Sequence, residues 1–252
     1  MNGAVQVSKI LVYPIKGLDP VEVKEAKLTP KGSLEHDREF WFIDGEGGVV
    51  SGKREKRLHR VRSSFNLKLG TLSISYEGKS YEFSLENTPE IEGFFSDILG
   101  YRVFLKRDPS GGLPDDRKAH GPTFVSKETI KEVAGWFALE EDNVRRRFRS
   151  NIEISGVPPF WEDALVGRRF RVGSALFEGR GISKRCPVPT RDPYSGEVYK
   201  NFVSIFSERR GGSLPPWSQR ELFSDTFYRL CLNTSLLEGE SIKVGDELSS
   251  QD

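Results

Sequence analysis

The sequence predicts an α+β fold that is predominantly β. Most apolar stretches are short and are either alternating or rich in β-branched and aromatic residues. Glycine corners close many of them, and apolar residues at helical spacing occur in only a few places. At 252 residues, 36% hydrophobic and with 17 Phe and 4 Trp, the chain can bury a sizeable core.

Val5 to Tyr13 is β-branched and apolar, and Val21 to Leu28 alternates. Arg38 to Ile43 reads as a short aromatic strand closed by Asp44-Gly45 and Gly47-Gly48. Leu67 to Tyr76, with Gly70 at a turn, and Tyr81 to Leu85 read as a hairpin. Ile91, Phe94, Phe95 and Ile98 mark a helix after Pro89, ended by Gly100. Asp108 to Asp116 is the most loop-like stretch. It predicts a boundary between a β-rich domain, 1–107, and a second domain, 118–252, or else a long loop over an active site.

In the second half, Ser126 caps a helix whose apolar face is Ile130, Val133, Ala134 and Phe137. Glu141 to Arg147 reads as a shorter helix feeding a strand at Phe148 to Ile154. Further strands are predicted at Arg169–Val172, Ser174–Ile182, Phe227–Leu232 and Ile242–Val244, with a helix at Asn201–Arg209. Short strands with glycine corners point to a small, closed or nearly closed barrel decorated by helices.

The charge balance limits the function. The 38 basic and 37 acidic side chains leave a net charge of +1, too little basic excess for a protein that works by neutralising many phosphates. The basic runs Lys53–Arg62 and Arg145–Arg149 lack the interleaved aromatics of a stacking groove, so nucleic acid is not expected as a partner. No apolar run reaches the roughly 18–20 residues of a membrane span. Met1 to Lys9 lacks a signal-peptide pattern, and two cysteines make no disulfide framework. Cys186 and Cys231 are therefore read as free thiols in a reducing compartment, the cytoplasm by default.

Cys186 is the candidate for chemistry. Arg180, Lys184, Arg185 and Arg191 lie close to it in sequence, and nearby cations favour the thiolate that ligates metals. Pro187 and Pro189 remove two backbone donors, so the segment is not an ordinary central strand. A structural cysteine at a loop edge is the other reading. His36, His59 and His120 show no zinc-ligand spacing, and a lone thiolate fits better with a metal whose other ligands come from a cofactor. Cys231, inside Leu230-Cys-Leu232, reads as core.

Lys16 follows the first strand, Arg38 opens the aromatic one, and Arg149 and Asn151 flank Ser150. Such residues at strand ends build anion sites, although each alone reads first as a solvated surface charge.

Five segments, in order, resemble the MOSC family, named for the C-terminal domain of molybdenum-cofactor sulfurases. They are Tyr13–Gly17, Asp37–Trp41, Arg147–Ile152, Lys184–Gly196, and Asn233–Gly239 followed by Ile242–Asp246. The layout is similar to that of the mitochondrial amidoxime-reducing components. The resemblance implies a MOSC-type β-barrel domain with helices behind a β-rich N-terminal domain. It also implies a molybdenum cofactor (Mo-molybdopterin) ligated by Cys186, with Lys16, Arg38, Arg149, Asn151, Lys184, Arg185 and Asn233 as cofactor contacts. His120-Gly121 falls where the family has a further contact. Ser150, Gly17, Arg191 and Ser183 depart from the family's usual residues, and Arg191 would add positive charge near the metal, favouring an anionic substrate.

The implied activity is reduction of N-hydroxylated or N-oxide small molecules. Electrons would come from a separate donor protein of ferredoxin, cytochrome or flavoprotein type, because no iron–sulfur or flavin module is present in the chain. The alternative is a cofactor or persulfide carrier without turnover, and a third reading is an interaction module with a decayed site.

Overall fold

The computed structural model describes residues 4–116 and 118–251. The first half contains strands β1 (Gln6–Val12), β2 (Val21–Val23), β3 (Glu25–Lys27), β4 (Phe40–Asp44), β5 (Val49–Val50), β6 (Arg62–Asn66), β7 (Thr71–Tyr76) and β8 (Lys79–Ser84). Helix α1 (Thr88–Leu99) and strand β9 (Val103–Arg107) complete it. The second half runs β10 (Phe124–Ser126), α2 (Lys127–Phe137), α3 (Glu141–Phe148), β11 (Ile152–Ser155), β12 (Arg169–Val172) and β13 (Ala175–Lys184). It ends with α4 (Phe202–Gly212), β14 (Arg229–Glu238), β15 (Ser241–Lys243) and β16 (Leu248–Gln251).

Eight strands form one sheet in the order β16-β12-β13-β14-β10-β11-β1-β2, antiparallel except for the β10–β11 pair. The strand ladder does not close into a barrel. Main-chain hydrogen bonds stitch the ends together: Val7 N–H donates to Asp246 O (2.9 Å), Gly245 N–H to Val7 O (2.8 Å) and Leu248 N–H to Val5 O (2.8 Å). Phe124, Phe170 and Phe177 pack inside with Ile10, Ile152, Ile154 and Leu232, so the interior is filled by side chains rather than open. Although β1 and β2 come from the N-terminal segment, they belong to this sheet.

A second core gathers Phe40, Phe42, Leu72, Ile74, Ile91 and Phe95 beneath α1, between the sheets β5-β4-β9 and β6-β7-β8. A third lies under α2, α3 and α4, around Phe137, Phe148, Phe202 and Phe206. Ser126 caps α2 by accepting from Thr129 N–H, and Gly100 closes α1 in the left-handed conformation, both as expected from the sequence.

Several segments differ from the sequence expectation, Arg62–Asn66 pairing as an unexpected strand among them, and three have a clear cause. Val21–Leu28 is two strands, because β2 pairs with β1 whereas β3 pairs with β15. Alternation shows which residues point inward but not which partner a strand takes. Phe148 ends α3 instead of opening a strand, since it packs with Val144 one turn earlier in the helical core. Strand β16 (Leu-Ser-Ser-Gln) carries no apolar alternation, and its pairing with β12 could be seen only in the structure. No helix among the described residues is long and apolar enough to cross a membrane.

Candidate functional site

The ends of β1, α3 and the turn before β4 meet at Tyr13. Its ring is fully buried, its N–H donates to Asp37 Oδ1 (2.9 Å), and its hydroxyl donates to Ser150 O (3.2 Å). Burial pushes the phenol well above its ordinary range, so it stays neutral. Arg149 and Arg38 both lie over this ring, with guanidinium carbons 4.2 and 5.0 Å from its centroid. Both arginines hold left-handed backbone (φ 55° and 51°), a conformation rare for residues other than glycine. Arg149 takes it because it is the C-cap of α3; Arg38 takes it in the tight turn that precedes Phe40.

Each guanidinium is held from behind. Arg38 pairs with buried Asp37 and donates to Arg149 O (3.2 Å), while Arg149 donates to Leu18 O (2.8 Å). Burial, with Arg38 close by, lowers the Arg149 pKa, which is the mark of a cation with too little counter-charge.

These side chains face a two-lobed cleft. The larger lobe, about 580 Å³, is lined by Arg38, Arg149, Asn151, Lys184, Arg185 and Asn233, together with loop residues Asp115 and Asp116 and the pair His120-Gly121. The smaller, about 290 Å³, contains Cys186 with Lys16, His59, Arg62, Arg147, Arg149 and Arg185. Every residue expected from the sequence to hold the cofactor or the metal lines one lobe or the other. Arg38, Arg149, Lys184 and Arg185 line both, so the lobes share a wall.

Cys186 is exposed, just beyond the end of β13. Its loop is fixed by Arg147, which donates to Pro189 O (2.9 Å), Arg191 O (2.6 Å) and Asn143 Oδ1 (2.6 Å) while almost wholly buried. Arg185 donates to Phe148 O, but its Nε is buried with no hydrogen-bond partner among the described residues. Cys231 is sealed in the core, and burial pushes its thiol up to about 12. The loop-edge reading therefore suits Cys186 only in position, because its thiol is open to solvent.

The other site residues are placed differently. Lys16 pairs with Asp115 and donates to Leu113 O (3.2 Å). Asn151 is a clasp: its amide donates to Leu11 O (3.1 Å) and accepts from Thr123 N–H (3.2 Å), so its polar atoms are used within the fold. Asn233 donates to Asp116 Oδ2 (3.1 Å). Lys184 reaches away to Asp225 (2.9 Å) at the rim. Arg191 lines neither lobe; its guanidinium turns back to Gly196 O (3.4 Å), because the Asp192–Gly196 turn folds beside it.

Sequence reasoning missed Tyr13, Asp37, Asp115, His59, Arg62 and the anchoring role of Arg147. The signals for Arg147 were the Arg145–Arg149 run and its place at the start of the Arg147–Ile152 segment. In the structure Arg145 pairs with Glu153 (2.6 Å) and Arg146 with Asp142 (2.7 Å) and Asp19 (2.8 Å). Burial lowers the His59 pKa, with Arg149, Arg191 and Arg62 acting in the same direction.

A pterin cofactor carrying a phosphate and a thiolate-ligated metal would require clustered cations, donors without partners and an accessible cysteine. The cleft supplies all three: Arg38, Arg149 and Arg185 on the shared wall, the unpartnered Arg185 Nε, and Cys186. Its size falls in the usual range for a small-molecule site. The residues present fit the group.

Comparison with known proteins places this arrangement in a family. A family model for the MOSC N-terminal beta barrel domain matches residues 4–100, and one for the MOSC domain matches residues 122–249. The chain is 25% identical over 265 residues to a molybdenum cofactor sulfurase of Oryza sativa subsp. japonica, covering 82% of this chain and 31% of that protein. The corresponding protein of Arabidopsis thaliana is 25% identical over 259 residues, covering 81% and 31%; that of Danio rerio is 23% identical over 259 residues, covering 82% and 31%. The chain thus spans under a third of the length of these relatives. Among solved structures, the YUAD protein from Bacillus subtilis superposes with a TM-score of 0.44 at 12% identity, covering 98% of this chain and 94% of that one. The chain belongs to the MOSC domain family, with a MOSC N-terminal beta barrel domain preceding the MOSC domain.

Proposed function

We propose that the cleft binds the molybdenum cofactor and that the chain is a molybdenum-dependent oxidoreductase. Its substrates would be N-hydroxylated or N-oxide small molecules, reduced with electrons from a separate ferredoxin-, cytochrome- or flavoprotein-type donor. Family membership and relatives named molybdenum cofactor sulfurases support the connection to the cofactor. One observation carries the reading furthest. A chain of net charge +1 gathers Lys16, Arg38, Arg149 and Arg185, drawn from both halves, around a cleft that also holds its exposed cysteine.

In this reading Arg38, Arg149 and Arg185 hold the phosphate and pterin through charge-assisted hydrogen bonds, Lys16 and Asn233 add donors, and Cys186 is the metal's protein ligand. Asn151 acts as a positioning residue, tying β1 to β11 beneath Arg149. Bound there, the cofactor would supply two-electron redox chemistry, and the protein would orient it and control access. Arg147 keeps Cys186 facing the smaller lobe, where a substrate would enter.

The test is the molybdenum and pterin content of wild type and Cys186→Ala, both expressed in a host that makes the cofactor. Wild type should carry about one metal per chain and the variant under a tenth of that. Wild type purified free of metal from such a host overturns the reading. The exposure of Cys186 also suits a persulfide carrier without turnover. Mass spectrometry finding a labile sulfur adduct on Cys186 without molybdenum would favour the carrier.

A further inference from the structure

The described stretches 112–116 and 118–121 each carry a main-chain anchor to the wall of the cleft. At one end Gly112 (φ 63°) lies against the Arg38 turn, where a Cβ would sit 2.5 Å from Asp37 O and 2.6 Å from Arg38 O. Leu113 N–H then donates to Arg38 O (3.0 Å). At the other end Gly121 N–H donates to Thr234 O (2.9 Å), and a Cβ there would sit 2.7 Å from the same oxygen. Neither end tolerates a side chain, so both are fixed to the walls of the cleft.

Next to these anchors, Asp115 and Asp116 turn their carboxylates to donors on the walls of the two lobes. Asp115 pairs with Lys16 and lies 4.0 Å from Arg38 Nε, and Asp116 accepts from Asn233. The Asp115 side chain is 76% exposed, whereas those of Lys16 and Arg38 are 14% and 10% exposed. It faces the open cleft, although cations surround it closely. Burial alone would raise its pKa, but Lys16 and Arg38 outweigh that effect and hold the group charged. Asp37 contrasts with it: buried and bonded to Tyr13 N–H, it is the fixed partner of Arg38. The Asp115 side chain is thus open to the cleft, and Lys16 supplies its one direct hydrogen bond among the described residues.

We propose that the 112–116 stretch is a tethered competitor. Its Asp115 carboxylate occupies the place between Lys16 and Arg38 where a ligand's phosphate would sit, and loading swaps one anion for the other. This rests on the reading of Lys16 and Arg38 as phosphate holders. The exchange favours a ligand carrying a dianionic group, which gains more from two cations than a single carboxylate does. Asp115 is thereby a specificity-determining residue, rejecting neutral molecules of the same size.

The experiment is calorimetric titration of inorganic phosphate into the full chain, purified from a host that cannot make the pterin. Wild type, Asp115→Asn, Asp115→Glu and Lys16→Ala are compared, with Glu77→Gln as a control for net charge at a distant exposed pair. Asp115→Asn should bind phosphate at least tenfold tighter than wild type. Asp115→Glu and Glu77→Gln should stay within about twofold of it, and Lys16→Ala should lose binding. If wild type binds phosphate through Lys16 but Asp115→Asn binds no tighter, the competitor is overturned and the phosphate seat stands. If neither wild type nor Asp115→Asn binds phosphate, the seat itself fails, and the competitor with it.

Discussion

The guanidinium carbon of Arg149 lies 4.2 Å from the centroid of the Tyr13 ring, and that contact joins the two halves of the chain at the wall of the cleft. Tyr13 follows β1 and Arg149 caps α3, residues 136 apart in sequence that meet because β1 pairs with β11. The ring also carries Arg38, so a single buried aromatic sets the position of two cations.

Removing that ring should therefore damage both fold and site. Tyr13→Ala is expected to cost about 3–5 kcal/mol in urea unfolding and to lower bound molybdenum severalfold. Tyr13→Phe keeps the ring and loses only the bond to Ser150 O, at about 1 kcal/mol, with cofactor content near wild type. Equal cofactor loss in both variants would show that the ring is not what positions the arginines.

Arg147 should be needed for the shape of the cysteine loop. Arg147→Ala strips the donor from two carbonyls and should cost about 3 kcal/mol. Arg147→Lys should recover less than half of that, since an ammonium cannot reproduce the fork. The alkylation rate of Cys186 should change in both variants, and an unchanged rate would separate Arg147 from the loop.

The two thiols should react very differently. Titration of the native protein with a chromogenic disulfide should release one equivalent rapidly, from Cys186, and a second only after unfolding. Cys231 is slow because it is buried and its thiol is raised to about 12, so almost no thiolate exists at neutral pH. Two fast equivalents would contradict this placement.

One buried glutamate should contribute a loss of stability as pH rises. Burial, then neighbouring Asp163, push Glu162 up to about 7 from its ordinary 4.5. The folded state therefore holds this proton more tightly than the unfolded state does, and stability is lost as pH rises from about 4.5 to about 7. Glu162→Gln should remove that loss, on the order of 1–3 kcal/mol at pH 7.5, and change little at pH 4.5. Urea midpoints at the two pH values provide the check, and identical slopes in wild type and variant would refute the assignment.

Much of the site was legible in sequence because its chemistry sits on short, distinctive segments. Cys186 between cations and prolines, and Arg38 and Arg149 at strand or helix ends, need no tertiary information to be singled out. Two placements have local causes. Arg191, expected near the metal, bonds Gly196 O in the turn that follows it, while its charge still reaches His59 in the smaller lobe. Asn151, expected to contact the cofactor, lines the larger lobe and also ties Leu11 to Thr123, since a buried amide next to a strand end must satisfy its polar atoms. Asp115 and Asp116 read as ordinary loop carboxylates, and nothing in their sequence neighbourhood shows that they face Lys16 and Asn233.

Local pattern alone was enough for the predominantly β class, for helices near Ser126–Phe137 and Thr88–Leu99, for the family resemblance, and for separating Cys186 from the core-like Cys231. Those depend on periodicity, caps and local composition, which act over a few residues. The three-dimensional fold was needed to see that β1 joins the sheet of the second half, that Tyr13 supports two arginines, that Arg147 fixes the cysteine loop, and that Asp115 and Asp116 line the cleft. These contacts join residues tens to more than a hundred positions apart, and a one-dimensional pattern cannot rank which of many compatible partners a side chain meets.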